Sequence, residues 1–115
     1  MKDISAFNKI YLATRHVDFR KQAHSLALLV DNTFKIKAVA PKTLFVFTNK
    51  RKTAIKILYW DGTGFALWWK GLEKDRFRWP KHKDEALNLT SSELRWLLEG
   101  VDITKIKKHR KVLLD

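Results

Sequence analysis

The chain has 115 residues and a formal charge of +12, from 24 Lys and Arg against 12 Asp and Glu. With no cysteine it can build no disulfide, Cys-ligated zinc site or thiol nucleophile, and no apolar run approaches the roughly 20 residues that span a bilayer. A hydrophobic fraction of 45% suits one folded domain with a modest core, and the excess of cations suits a polyanionic partner, first of all nucleic acid.

The opening "MKDISAFNKIYLATRHVDF" has no apolar core followed by a small-residue cleavage site. We read no secretory signal there and expect a cytoplasmic protein. "NKIYLATR", Asn8 to Arg15, reads as a strand. Asp18 fits a helix N-cap, and the helix is expected over about Phe19 to Asp31. Phe19, Ala23, Leu26, Ala27 and Val30 fall on one face at helical spacing. Asn32 to Lys42 reads as a loop with some extended character, closed by Pro41.

"TLFVFTN" and "AIKILYW" read as two strands around the polar break "KRKT", Lys50 to Thr53. A second hairpin turns at Asp61–Gly64, because Asp-Gly supplies the positive φ that tight turns need. Side chains alternate along strands. A two- or four-residue loop therefore puts Lys56, Leu58, Trp60, Phe65, Leu67 and Trp69 on one face, and Ile55, Ile57, Tyr59, Ala66, Trp68 and Lys70 on the other. A three-residue loop would break that facing. Both faces are apolar near the turn, so either both are covered or one is kept for a partner.

"RFRWP" reads as an edge strand ended by Pro80, with Phe77 and Trp79 alternating against Arg76 and Arg78. "LTSSELRWLLEG" carries a Thr90/Glu93 capping box, a Leu89/Leu94 staple and Gly100 as its terminator. The expected fold is α+β: an antiparallel meander of four to five strands, an N-terminal helix, a C-terminal helix and a basic tail. One domain is expected over 1–102, with the tail at 103–115.

Three basic clusters are candidate phosphate contacts: Lys50, Arg51 and Lys52; Arg76 and Arg78; and Lys105, Lys107, Lys108, Arg110 and Lys111. Lys70, Lys74, Lys81 and Lys83 lie near the second in sequence. Cations also gather on turns and tails simply because those are wet, but a solvated surface does not require one sign of charge. Trp96 lies well off the stripe of Leu94, Leu97, Leu98 and Val101. It is a candidate partner contact, or it folds back under the tail. No P-loop, G-x-S-x-G or H-E-x-x-H pattern occurs, and His16, His24, His82 and His109 are scattered. We expect no catalysis, cofactor, metal, small-molecule substrate or membrane partner.

Three stretches carry a resemblance: "KIYLATRHVDFRKQAHSLALLV", "LFVFTNKRKTAIKILYWDGTGFALWWKGLEKDRFRWP" and "LTSSELRWLLEGVD". Together they resemble the small TnpB accessory protein of bacterial insertion sequences of the sixty-six type. This family is distinct from the RNA-guided nuclease that shares the name TnpB. The resemblance spans about residues 9 to 102. It implies a DNA-transposition accessory protein, with catalysis in a separate transposase, and it assigns no catalytic residue. The chain departs from the family pattern at Gly71, at Asp75 and over Phe34 to Lys42. Two readings follow: a DNA-binding accessory protein working through the basic clusters, or a protein-interaction subunit of a transposase complex that uses exposed aromatics. RNA binding and nuclease activity stand behind them.

Overall fold

The computed structural model describes residues 3–105. After a 3-10 turn at Ile4–Ala6 come β1 (Lys9–Ala13), α1 (Ala23–Leu29), β2 (Thr43–Thr48), β3 (Ala54–Trp60), β4 (Phe65–Gly71), β5 (Ala86–Leu89) and α2 (Ser91–Leu98). The strands form one five-stranded sheet in the order β4-β3-β2-β1-β5. The α+β class holds, but the sheet is mixed rather than an antiparallel meander. β1 runs parallel to β2, with Ile10 opposite Leu44 and Leu12 opposite Val46, while every other pairing is antiparallel. A parallel pair needs a long crossover, and residues 14–42 supply it, with α1 inside.

Both faces of the sheet are covered. On one side α1 lays Leu26 and Ala27 against Phe45, Phe47 and Leu58, with Val30 from the π-helical turn Val30–Phe34 that continues α1. On the other side Leu94 and Leu97 of α2 pack on Ile10, Leu12, Leu44, Val46, Ile55 and Ile57, joined by Phe77, Trp79 and Ile103. β2 is buried at every position, which explains why "TLFVFT" is apolar on both faces rather than alternating. The hairpin turns through four residues, with Trp60 opposite Phe65, Leu58 opposite Leu67 and Ile57 opposite Trp68. The expected facing is therefore the observed one. Asp61 Oδ1 accepts from the amides of Thr63 and Gly64, and Gly62 takes φ 105°.

The first long helix is shorter than its periodicity suggests. It starts at Ala23, and its N-cap, Gln22, makes no side-chain cap bond. Asp18 Oδ1 instead accepts from the Arg20 amide in a separate turn. The physical reason is Lys56. Its buried ammonium donates to the carbonyls of Phe19 at 2.7 Å and Lys21 at 2.9 Å. Those are the carbonyls that a helix begun at Asp18 would give to the amides of Ala23 and Ser25.

α2 forms as its ends dictate. Thr90 accepts from the Glu93 amide at 3.1 Å and the Glu93 carboxylate accepts from the Thr90 amide at 2.8 Å. At the other end Val101 donates to Trp96 and Gly100 to Leu97, with Gly100 at φ 89°. This is the Schellman arrangement, which glycine enters without penalty. Two further expectations change. Residues 76–80 join no strand, and the fifth strand is Ala86–Leu89, paired with β1.

Candidate nucleic-acid interface

The β2–β3 turn is built by Asn49. Its Oδ1 accepts from the amides of Thr53 at 2.9 Å and Ala54 at 3.3 Å, and its carbonyl accepts from Lys52 at 3.1 Å. The turn closes with Lys52 at φ 60°, a left-handed conformation that costs a lysine about 1 kcal/mol relative to glycine. Lys50 and Arg51 are exposed at its tip and Lys52 is half-buried.

The second cluster docks directly on this turn. The Phe77 amide donates to the Lys52 carbonyl at 2.8 Å, and the Leu72 amide to the Thr53 carbonyl at 2.8 Å. Trp79 anchors the far end, its indole Nε1 donating to the Ala13 carbonyl at 2.9 Å. Phe77 and Trp79 are 2% and 7% exposed, while Arg76 and Arg78 are exposed to solvent, and the Trp79 amide donates to the Phe77 carbonyl at 3.1 Å in a tight turn around Arg78. The sequence-level alternation was correct although the segment is not a strand. It crosses the end of the sheet instead of extending its edge.

The third cluster begins at the same place. A groove of about 420 Å³ is lined by Arg78, Trp79, Pro80, Lys81, Asp102 and Thr104. The Thr104 hydroxyl, donating to Asp102, holds that carboxyl below its usual range, with smaller help from Lys105 and Arg78. Lys105 is exposed. Lys107, Lys108, Arg110 and Lys111 lie outside the described residues.

The crossover adds cations that sequence reasoning missed. Because β1 and β2 are parallel, the loop after β1 lies at the same end of the sheet, where the Val17 amide donates to the Thr48 carbonyl at 2.9 Å. It brings in Arg15, Arg20 and Lys21, all exposed. A shallow cleft of about 530 Å³ runs between this loop and the Lys50–Arg51 turn. Arg20 is paired with Asp18 at 2.6 Å, and Arg15 lies 3.8 Å from Glu85. The Arg20 hydrogen bonds hold the Asp18 carboxyl down at about 2. Among the described residues, no carboxylate lies within ion-pair distance of Lys50, Arg51, Lys52, Arg76 or Arg78. No short-range signal marks the first loop as part of the site, since its position depends on the parallel pairing.

The loops at this end, residues 14–22, 49–53 and 72–85, hold eleven Lys and Arg against five acids. At the opposite end, residues 3–8, 30–42 and 61–64 hold three of each. The charge is therefore polarised along the strands. Two other lysines are structural. Burial pushes Lys56 below its usual value, partly opposed by Asp18, and its ammonium sits 4.9 Å from the Phe19 ring centroid. Lys70 Nζ donates to the Leu98 carbonyl at 2.9 Å, a cation at a helix C-terminus. Trp96 is half-buried and packs against the α2-side core. The exposed tryptophan is Trp69, at 60%.

Among the described residues, no helix is long and apolar enough to cross a membrane. Two relatives come from Sinorhizobium fredii. "Uncharacterized protein y4jC" is 36% identical over 100 residues, covering 87% of this chain and 85% of the relative. "Uncharacterized protein y4hO" is 34% identical over 94 residues, covering 82% and 81%. No solved structure matches the chain. The family model described as IS66 Orf2 like protein matches residues 8–108, a span that includes the Asn49 turn, the aromatic hairpin, the Arg76–Arg78 segment and α2. The chain belongs to the IS66 Orf2-like family of transposition accessory proteins.

Proposed function

We propose that this protein is a non-catalytic DNA-binding subunit that assists a separate transposase in the bacterial cytoplasm. Its basic end lies along the phosphate backbone. The observation that carries this reading is the convergence of Lys50–Lys52, Arg76 and Arg78 through the Phe77–Lys52 hydrogen bond, with none of the five within ion-pair distance of a carboxylate among the described residues. Long cations on a rigid sheet end suit phosphate contact without base reading. The basic tail, with Lys105, Lys107, Lys108, Arg110 and Lys111, adds further nonspecific affinity. Family membership supports the setting in transposition.

The test is salt dependence of duplex binding. With about six phosphates neutralised, log affinity falls against log salt with a slope near −5. Absence of duplex or single-strand binding at ~50 mM salt would overturn the proposal. Competition with RNA of matched length separates a DNA protein from an RNA protein. The transposase contact is assigned to the half-buried ring of Trp96, so capture of the transposase should weaken in Trp96→Ala. Capture unchanged by that substitution would remove Trp96 from the interface.

A further inference from the structure

β4 is an edge strand, and its phase can be read from two bonds. Asp61 N donates to Gly64 O, and Leu72 N to Thr53 O. In an antiparallel ladder, bonded and non-bonded pairs alternate. With the register of β3 on β4, the residues whose backbone groups face β3 are Ala66, Trp68 and Lys70. Phe65, Leu67, Trp69 and Gly71 direct their N–H and C=O groups away from the sheet.

Proteins usually blunt such an edge with proline, a bulge, outward charge or brevity. The opposite edge, β5, is only four residues long. β4 has seven residues, no proline and one lysine, and that lysine is held on the Leu98 carbonyl. Its outward rim is apolar. Trp69 is 60% exposed, and α1, which packs over β3 and β4, leaves Leu28 49% exposed.

We propose that a second copy of this chain pairs on this edge, β4 against β4, antiparallel about a two-fold axis at Trp68. This register lets all four outward residues bond, with Leu67 opposite Trp69 of the second copy and Phe65 opposite its Gly71. Pairing centred one residue away at Leu67 leaves Gly71 without a partner. In the Trp68 register Lys70 faces Ala66 of the second copy, so no like charges meet. Gly71 suits a crowded position, since the Trp69 ring already lies across it, 2.5 Å from where a Cβ would stand. Charge also favours the antiparallel sense. The basic end of each copy lies beside the Asp61 turn of the other, and the two basic ends stand apart. The interface is isologous and closes on itself.

The test is sedimentation of the full chain without DNA from about 1 to about 100 µM. The expected result is a monomer–dimer equilibrium that tightens with added salt, as repulsion between two cationic chains is screened. DNA binding, in contrast, weakens with salt. Trp69→Pro removes an outward N–H and leaves the β3 ladder intact; Trp69→Lys places charge on the rim at an exposed site. Each should weaken the dimer by about tenfold or more. Trp69→Lys decides if the proline variant does not fold.

The absence of native cysteine permits a register test. Non-bonded antiparallel partners have Cα atoms about 4.5 Å apart, within disulfide reach. Ala66→Cys mixed with Lys70→Cys should cross-link, and neither alone should. A monomer through about 100 µM overturns the proposal. So does a dimer indifferent to Trp69→Lys, cross-linking in another register, or an edge filled only by a strand of a different protein.

Discussion

Lys52 holds a left-handed conformation at φ 60° in a turn that glycine would close more cheaply. Its carbonyl receives Phe77, and its side chain belongs to the basic end. Lys52→Gly separates these two roles. The backbone strain is relieved, so thermal stability should stay level or rise by about 0.5 kcal/mol, the gain being partly offset by the freer unfolded chain. At the same time the salt slope of DNA binding should become shallower by about one. A large loss of stability with unchanged DNA binding would show that Lys52 serves the turn alone. Lys56 shows the opposite case. It stands inside the apolar strand rather than in the polar break that holds Lys50 and Lys52, and it is buried and bonded to two carbonyls. Sequence alternation places it on the same face as Leu58, Phe65 and Leu67, the face that α1 covers. That its ammonium would stop the preceding helix short of Asp18 depends on packing between segments more than thirty residues apart.

At the scale of elements, local chemistry was legible and long-range pairing was not. The Thr90 capping box, the Gly100 terminator and the four-residue Asp61 turn follow from side chains acting on backbone a few positions away. β5 is four residues long and is defined by its partner, β1, so its own pattern carries little signal. The parallel β1–β2 pair depends on where a long crossover lands. The segment Arg76–Pro80 lies between these cases: its alternation was readable, but its role as a strap across the sheet end was not. Two bonds hold the strap, Phe77 N to Lys52 O and Trp79 Nε1 to Ala13 O. Trp79→Phe keeps most of the buried ring and deletes the second bond. It should cost about 1–2 kcal/mol in denaturant unfolding, because the Ala13 carbonyl loses its donor. DNA affinity should fall as Arg76 and Arg78 lose their fixed position. Unfolding within experimental error of the parent would mean that the strap is held by apolar contact alone.

For the whole molecule, the governing feature is the division of charge between the two ends of one sheet. The candidate clusters were readable one at a time, as a turn, a strand and a tail. Their convergence was not, because it requires the parallel crossover and the strap to bring three loops to one end. The same polarity would let the proposed DNA binding and the proposed self-association occupy different surfaces, with the sheet end for phosphates and the β4 edge for a second copy. The most direct measurement is duplex binding by two variants that each lose three charges. Lys50→Gln/Arg51→Gln/Arg76→Gln neutralises the basic end, and Lys35→Gln/Lys37→Gln/Lys42→Gln neutralises the other. At ~0.1 M salt the first should bind about thirtyfold more weakly, with a slope shallower by about three, and the second should stay within about threefold of the parent. Equal losses from the two variants would contradict a DNA site at the basic end and leave only diffuse attraction to net charge.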